Sequence, residues 1–420
     1  MLKKILDTLS TNVLIFIINF IISIFIARAL GPQGQGEITF VLLIPNTMYM
    51  FLSINYFGDN IYFLRKKIFS NESIFSASVI FFFILSSLEI FAVSIYGIFN
   101  IVSNFVFIII FIITFNLNNF IVSYLFGIGK IIFRNRVMFG QSFIYFIFII
   151  ILYYGNKQYL NVTNILVIQC LLNIFSSIIC FFIIKKSFNC KVEFAFKQSM
   201  KIIRTTLSIS RLNYISNLAN FLNYRLDQWI IVFLLGKPDL GIYSIAVNIA
   251  EKFWIIPDSI ASVIYPEIVG KDNNELKRII KKIDRIIVQS ILLGTIAWII
   301  SLFIFDKLVL MVYGDRYFSV SKIFKILFPS IVLFAIVKVI AGFFAGLGRP
   351  DIRVKASIIS TVVNGGLNLI LIRRYGISGA AISSTVSYAL YSIIILHKYM
   401  IVRKQPESFK DTIVNNLICK

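Results

Sequence analysis

The stretch VLIFIINFIISIFIARA, residues 13–29, is an almost unbroken apolar run, and the glycine- and proline-containing sequence LGPQGQG, residues 30–36, ends it. A helix that crosses a membrane needs about 20 predominantly apolar residues. Similar runs recur along the chain, and those at Ile108–Ile113 and Phe143–Leu152 show none of the alternation of a membrane β-barrel. Because lipid offers no partner for backbone groups, these runs must be helices.

The composition extends this interpretation to the whole chain. Of the 420 residues, 58% are hydrophobic and only 14% are charged, and the mean hydropathy is +0.87. A soluble domain has about 45–50% apolar and about 25% charged residues, so a soluble enzyme is excluded. We predict an all-α integral membrane protein with about twelve spans, at 11–29, 38–63, 74–95, 102–126, 138–154, 162–184, 208–235, 241–265, 286–305, 324–345, 354–372 and 379–396.

The charge distribution predicts the orientation of these spans. The formal net charge is +22, which in a soluble protein would indicate nucleic-acid binding. If the N-terminus is cytoplasmic, 29 of the 41 Lys and Arg residues lie on the cytoplasmic side and eight on the opposite side. Cytoplasmic loops of membrane proteins carry this excess of positive charge. We therefore expect a multi-pass membrane protein with both termini in the cytoplasm, and no nucleic-acid partner.

The spans fall into two similar halves. LGPQGQG, residues 30–36, follows span one, and LGKPDLG, residues 235–241, follows span seven. FGIGK, residues 126–130, and AGLGR, residues 345–349, follow spans four and ten. Because each half has an even number of spans, the repeats are parallel. The predicted organisation is an N-terminal six-helix bundle at 1–184, a basic cytoplasmic linker at 185–204, a C-terminal six-helix bundle at 205–400 and a cytoplasmic tail at 401–420.

Span seven carries a polar stripe. Asn213, Asn217, Asn220, Tyr224 and Asp227 fall within about 80° of one another on a helix of 100° per residue. Polar groups on one helix face should not contact lipid, so the stripe either lines a water-filled cavity or joins the helix to its neighbours.

Several ionisable residues lie inside or beside predicted spans, and burying such groups in a membrane is costly enough that each is a candidate for function. Arg225 lies off the polar stripe and is expected to pair with an acid on another helix. Lys338, in the middle of span ten, is expected to face a cavity and contact an anion. The other candidates are Glu251, Lys252 and Asp258 in span eight, where Pro257 predicts a kink, and Asp59 in span two, which either pairs with the cations at 65–67 or couples an ion.

The sequence contains no recognisable catalytic arrangement. The one histidine, His397, excludes multi-histidine metal sites and ends the last apolar run beside Lys398, and no Walker-type loop is present. We predict neither an enzyme nor a metal protein, but a transporter without a nucleotide site.

Several segments resemble polysaccharide (O-antigen) flippases of the Wzx type, which belong to the MATE-like (multidrug/oligosaccharidyl-lipid/polysaccharide exporter) superfamily. The resemblance rests on residues 26–36, on Arg225-Leu226-Asp227 with the glycines that follow, and on Gly346-Leu347-Gly348-Arg349-Pro350 with Asn364 and Asn368. It implies two six-helix halves around a central cavity. It also implies that the protein flips an undecaprenyl-diphosphate-linked oligosaccharide to the periplasmic leaflet.

The resemblance also implies roles for the charged residues. A cationic cavity would bind the diphosphate, with Lys338, Arg225 and Lys252 as cations and Asn213, Asn217 and Asn220 as further substrate contacts. An H⁺ or Na⁺ gradient would drive transport through Asp227, Asp59, Glu251 or Asp258, for which salt bridging between helices is the competing interpretation. No other cofactor is implied, and a glycan polymerase and a chain-length regulator would be partners. A multidrug cation exporter of the same fold is the alternative, and a membrane-embedded glycan polymerase or transferase is disfavoured by the short outward loops.

Overall fold

The computed structural model describes residues 2–99, 105–187, 196–268, 273–347 and 349–404, and throughout these ranges the regular structure is helical. Three short 3-10 helices lie at Lys157–Tyr159, Lys252–Trp254 and Asp315–Tyr317. The α-helices are α1 Leu2–Leu52, α2 Tyr56–Lys66, α3 Asn71–Phe99, α4 Phe105–Gly127, α5 Ile131–Gly155, α6 Val162–Ser187, α7 Phe196–Leu234, α8 Lys237–Glu251, α9 Ile255–Ile268, α10 Asn273–Tyr313, α11 Phe318–Gly346, α12 Pro350–Tyr375 and α13 Ile377–Lys404.

The helices account for the twelve predicted spans. Nine of the described helices are long and apolar enough to cross a membrane singly. Helix α1 contains two such lengths on either side of a break at Gly31. Helix α7 is long but polar, and α8 and α9 are each too short to cross alone but together cover span eight.

The two glycines that follow spans one and seven have almost the same backbone conformation. Gly31 has φ 66° and ψ −176°, and Gly236 has φ 96° and ψ −175°. This region of conformational space is essentially restricted to glycine. The two turns lie 205 residues apart, so the internal repeat predicted from the sequence extends to the backbone. The other pair of matching loops, 126–130 and 345–349, cannot be compared in this way, because Gly348 lies outside the described residues.

The second crossing of each half is also broken. Span two is interrupted at residues 53–55, between α1 and α2, and span eight by the 3-10 helix Lys252–Trp254. The second break has a local cause. Pro257 cannot donate to the carbonyl of Phe253, four residues earlier, and its ring would clash with that carbonyl in a regular helix. The predicted kink in span eight is therefore present, one turn before the proline.

The chain folds into two compact units, Met1–Ile215 and Ser216–Lys420. In the first, α4 packs against α2, α3 and α6, around a buried aromatic cluster that includes Tyr56 stacked on Phe81. In the second, α11 packs against α8, α9, α10 and α13 and is largely buried. Helices α4 and α11 are the fourth crossings of their halves, so both units are built around the equivalent helix.

Helix α7 starts earlier than the predicted seventh span. It begins at Phe196 and therefore includes residues 196–204 of the predicted linker, while residues 188–195 lie outside the described part of the chain. Ile202, Ile203 and Thr206 are buried in the first unit, and this packing extends the helix beyond its apolar run.

Substitution of Gly236 tests the glycine-only turn. An added Cβ would meet only Pro238 Cδ at 3.8 Å, so the cost of Gly236→Ala is conformational rather than steric. We expect a loss of about 1–3 kcal/mol in the free energy of unfolding, measured by thermal unfolding in detergent.

The matched control is Gly140→Ala in α5, where the added Cβ has no atom within 4 Å and alanine favours the helix. Gly140→Ala should leave the unfolding midpoint unchanged or raise it. Equal destabilisation by the two substitutions would contradict the conclusion that the turn at Gly236 requires glycine.

Candidate functional site

Arg225 and Glu251 form a buried ion pair between α7 and α8. Arg225 Nη1 lies 3.0 Å from Glu251 Oε1, and Nη2 lies 3.1 Å from Oε2. The exposed fractions of the two side chains are only 27% and 14%. A bidentate pair of this kind is directional and strong, and it joins two helices that the sequence separates by a tight turn.

Lys338 has a different environment. Its Nζ lies 2.9 Å from Asp258 Oδ2 and 4.4 Å from the ring centroid of Trp254, which holds the ammonium by a cation–π contact. Asp258 is 55% exposed, whereas Lys338 is 19% exposed. Trp254 is fixed in turn by its indole N–H, which donates to the carbonyl of Ile331 at 3.1 Å.

An aromatic cluster lies beside both ion pairs. The rings of Tyr224, Trp254, Phe334 and Tyr388 have centroids 5.0–6.1 Å apart in mostly tilted or edge-on contacts. Trp254 belongs to this cluster and also contacts Lys338. The cluster therefore connects α7, the 3-10 helix, α11 and α13 at the level of the charged residues.

Asp227 is fully buried and surrounded by donors. The hydroxyl of Tyr243 donates to Oδ2, Ser384 Oγ donates to Oδ2 at 3.1 Å, and the backbone N–H of Gln228 donates to Oδ1 at 2.7 Å. Asn364 Nδ2 lies 3.5 Å from Ser384 Oγ and continues the network into α12. A carboxylate with three donors is well solvated by protein groups.

The polar stripe of α7 makes hydrogen bonds to α12. Asn220 Oδ1 accepts from Ser357 Oγ at 2.8 Å, and Asn217 Oδ1 lies 3.4 Å from Arg353 Nη2. The buried Asn223 donates to Ser360 and accepts from Ser387 Oγ at 2.6 Å. These contacts join α7 to its neighbours, which is one of the two roles that the sequence left open.

The remaining candidate residues are dispersed. Lys252 is exposed and begins the 3-10 helix directly after Glu251, and the side chain of Asn213 lies outside the described residues. Asp59 lies in α2, in the first unit, and its buried Oδ2 has no hydrogen-bond partner. Arg65 donates instead to the carbonyl of Phe126 at 3.0 Å, and within the described ranges no ion pair joins Asp59 to residues 65–67.

Sequence reasoning missed several members of these networks. Asn223 lies about 40° beyond the edge of the predicted stripe, and a wider sector would have included it. Trp254 and Tyr243 carry no signal of their own in an aromatic-rich chain. Glu89 of α3, which is fully buried, was detectable as the one acidic residue within the third span.

The fold is that of MATE-type transporters. An inward-facing multidrug resistance MATE transporter of the MOP superfamily superimposes with a TM-score of 0.73, covering 97% of this chain and 99% of that chain at 14% identity. A MOP superfamily transporter from Pyrococcus furiosus, described as having a binding pocket of reverse polarity, superimposes with a TM-score of 0.62 over 96% and 95% at 12% identity. The chain is therefore a multi-pass membrane protein of this fold class.

The sequence comparisons give the family. The model of polysaccharide biosynthesis proteins matches residues 1–270, and this chain belongs to that family. The capsular polysaccharide biosynthesis protein CapF of Staphylococcus aureus is 24% identical over 92% of this chain and 96% of its own length. The probable low-salt glycan biosynthesis flippase Agl15 of Haloferax volcanii is 27% identical over 48% of this chain, and the match spans 43% of that protein. The resemblance seen in the sequence is confirmed.

Breaking the Arg225–Glu251 pair should destabilise the protein strongly. Arg225→Met or Glu251→Met leaves one buried charge without its partner, and we expect each to lower the free energy of unfolding by about 3–5 kcal/mol. The double substitution should cost less than the sum of the two, because it leaves no orphan charge.

The control is Arg403→Met. Arg403 pairs with Asp284 at 3.2 Å but is 56% exposed, so its loss should cost at most about 1 kcal/mol. Strict additivity in the double variant, measured by thermal unfolding in the same detergent, would argue against the coupled pair.

Proposed function

We propose that this protein is a flippase that moves an undecaprenyl-diphosphate-linked oligosaccharide repeat unit from the cytoplasmic to the outer leaflet of a bacterial plasma membrane. The proposal rests on the environment of Lys338. It is a membrane-embedded cation, in a protein of the polysaccharide biosynthesis family, and its counter-ion Asp258 is half exposed. The flippase names of two Haloferax volcanii relatives agree with it.

An exposed carboxylate in a membrane segment needs a polar environment, so the side of Lys338 that faces Asp258 is where we place the substrate. A diphosphate brings more negative charge than Asp258 and can replace it as the partner of the ammonium. The hydrocarbon barrier to a diphosphate is large because the ion loses its hydration, and a protein cation offsets part of that cost. Trp254 holds the ammonium while partners exchange.

Arg225 and Lys252 are the further cations that we assign to the substrate, with Asn217 and Asn220 as polar contacts. Both terminal nitrogens of Arg225 bind the carboxylate of Glu251, so we assign Arg225 an electrostatic role and not direct contact with the substrate. Lys252 is exposed directly after Glu251 in the chain and adds positive charge at this place.

Ion coupling is assigned to Asp227. Glu251 and Asp258 are occupied by cations, whereas Asp227 is held by neutral hydroxyl and amide donors. Its carboxylate can therefore take up H⁺ or Na⁺ with little rearrangement of charge. Asp59, in the other unit, is the alternative acidic group. Alternating access would follow if binding of the ion or of the substrate favours different states of the protein.

The positively charged residues at 65–67 and 277–285 support the proposal that both termini lie in the cytoplasm. A glycan polymerase and a chain-length regulator are the partners expected to act on the exported unit.

Deletion of the gene tests the function. We expect loss of surface polysaccharide together with accumulation of the complete repeat unit on undecaprenyl diphosphate, measured by mass spectrometry of extracted lipids and by accessibility in spheroplasts. Complementation with Lys338→Ala should fail, because the diphosphate loses its cation, while Lys338→Arg should retain part of the export.

The control variant in that experiment is Lys322→Ala, an exposed lysine at the beginning of the same helix, which should restore full export. Normal surface glycan in the deletion strain, with raised sensitivity to cationic drugs, would favour the multidrug exporter instead. Full export by Lys338→Ala would refute the role of Lys338.

Substitution of Asp227 tests the coupling role. Asp227→Asn removes the titratable and ion-binding charge but keeps the size and much of the hydrogen bonding. We expect a protein that folds normally but no longer drives uphill export when an H⁺ or Na⁺ gradient is imposed on vesicles.

Asp239→Asn, in the first turn of α8, is the matched control and should transport like the parent protein. Gradient-dependent export by Asp227→Asn at the parental rate would exclude Asp227 as the coupling residue.

A further inference from the structure

Glu89 is a fully buried carboxyl group in the first unit, on the inward face of α3. Its Oε2 accepts from Asn116 Nδ2 at 2.7 Å, across the contact between α3 and α4. Its Oε1 is buried and has no hydrogen-bond partner. In the described part of the chain no lysine or arginine forms an ion pair with it, unlike Glu251 and Asp258 of the second unit.

Asn116, like Glu89, has a buried acceptor atom without a hydrogen-bond donor. Its amide nitrogen uses both of its hydrogens, one toward Glu89 and one toward Ser86 Oγ at 3.1 Å. Its carbonyl oxygen is buried and also lacks a partner. Rotating the amide by 180° would not satisfy Glu89, since its Oε2 would then face a carbonyl oxygen, which cannot donate to it. Two buried acceptors of one side-chain pair therefore lack a donor.

Among the described residues, none of the recorded contacts of Glu89 supplies a compensating positive charge. The titratable group that faces Glu89 from α1 is the phenol of Tyr49, which is neutral and packs edge-on against Phe115 with ring centroids 5.5 Å apart. Ser86, on the same face of α3, is also neutral. An ionised carboxylate here would keep a charge that has one amide hydrogen bond and no cation in an apolar helix bundle, which is strongly unfavourable.

We propose that Glu89 and Asn116 form a proton-binding site, with the proton held on Glu89 Oε1. One proton satisfies both of the unpaired oxygens, because Glu89 Oε1 becomes a donor and the carbonyl oxygen of Asn116 becomes its acceptor. The acid and the amide then form a reciprocal hydrogen-bonded pair between α3 and α4, and the group is neutral. The ligand is a proton rather than a metal cation, and its binding does not depend on glycan transport.

Infrared difference spectroscopy of the purified full-length protein tests this directly. At neutral pH, the parent minus Glu89→Gln spectrum should show the carbonyl stretch of a protonated carboxylic acid. Glu72→Gln, in the first turn of the same helix, is the matched control and should leave that band in place. Asn116→Leu should keep the band but move it to higher frequency, because the acid loses its amide partner.

Three results would overturn the proposal. One is a difference spectrum that contains carboxylate bands only. Another is an acid band whose frequency Asn116→Leu does not change. The third is thermal stabilisation by sodium chloride, relative to choline chloride, that Glu89→Gln abolishes, since this would make sodium the ligand. We also expect Glu89→Gln to unfold at the parental temperature, because its amide can donate to Asn116 as the acid does.

Discussion

The interior of a membrane contains no water to satisfy a polar group, and this constraint shapes every part of the protein. It forces the apolar runs into helices, because only a helix satisfies its backbone internally. It also forces polar side chains to find partners on neighbouring helices. The contacts of α7 with α12 and α13 are of this kind, with Asn220 bonded to Ser357 and Asp227 to Ser384. Against this background, a buried acceptor with no donor requires a specific explanation.

Features with local causes could be predicted from the sequence. The helices follow from the length of the apolar runs, the interruption of span eight follows from Pro257, and the repeat of the halves follows from two glycine-containing turns. Gly31 and Gly236 share a conformation that other residues avoid, so their spacing in the sequence already carried structural information. The start of α7 at Phe196 could not be read in this way, because packing in the first unit extends it.

The partners of the charged residues could not be predicted, because they depend on how helices pack. The angular position of Arg225 excluded it from the polar stripe but did not identify Glu251. Asp59 had two interpretations, and Arg65, one of the cations considered as its partner, donates through Nη2 to the backbone carbonyl of Phe126. Glu89 is recognisable in the sequence as the one acid of the third span, but its hydrogen-bond partner Asn116 lies on another helix and is not. The proposed proton site depends on the carbonyl oxygen of Asn116, which lacks a hydrogen-bond donor.

Arg225–Glu251 and Lys338–Asp258 are both pairs of a cation and a carboxylate, but they differ in how easily the two partners can separate. Arg225 and Glu251 share two hydrogen bonds and little exposed surface, so separating them would leave buried charges and is unfavourable in any state. Lys338 has one bond to a carboxylate that is more than half exposed, and its second support is an aromatic ring. Under the proposed function, exchange of Asp258 for an incoming anion would therefore cost Lys338 only one bond, which the anion would restore. A transporter must bind its substrate and release it, and a cation with a replaceable partner meets both requirements where a fixed pair cannot.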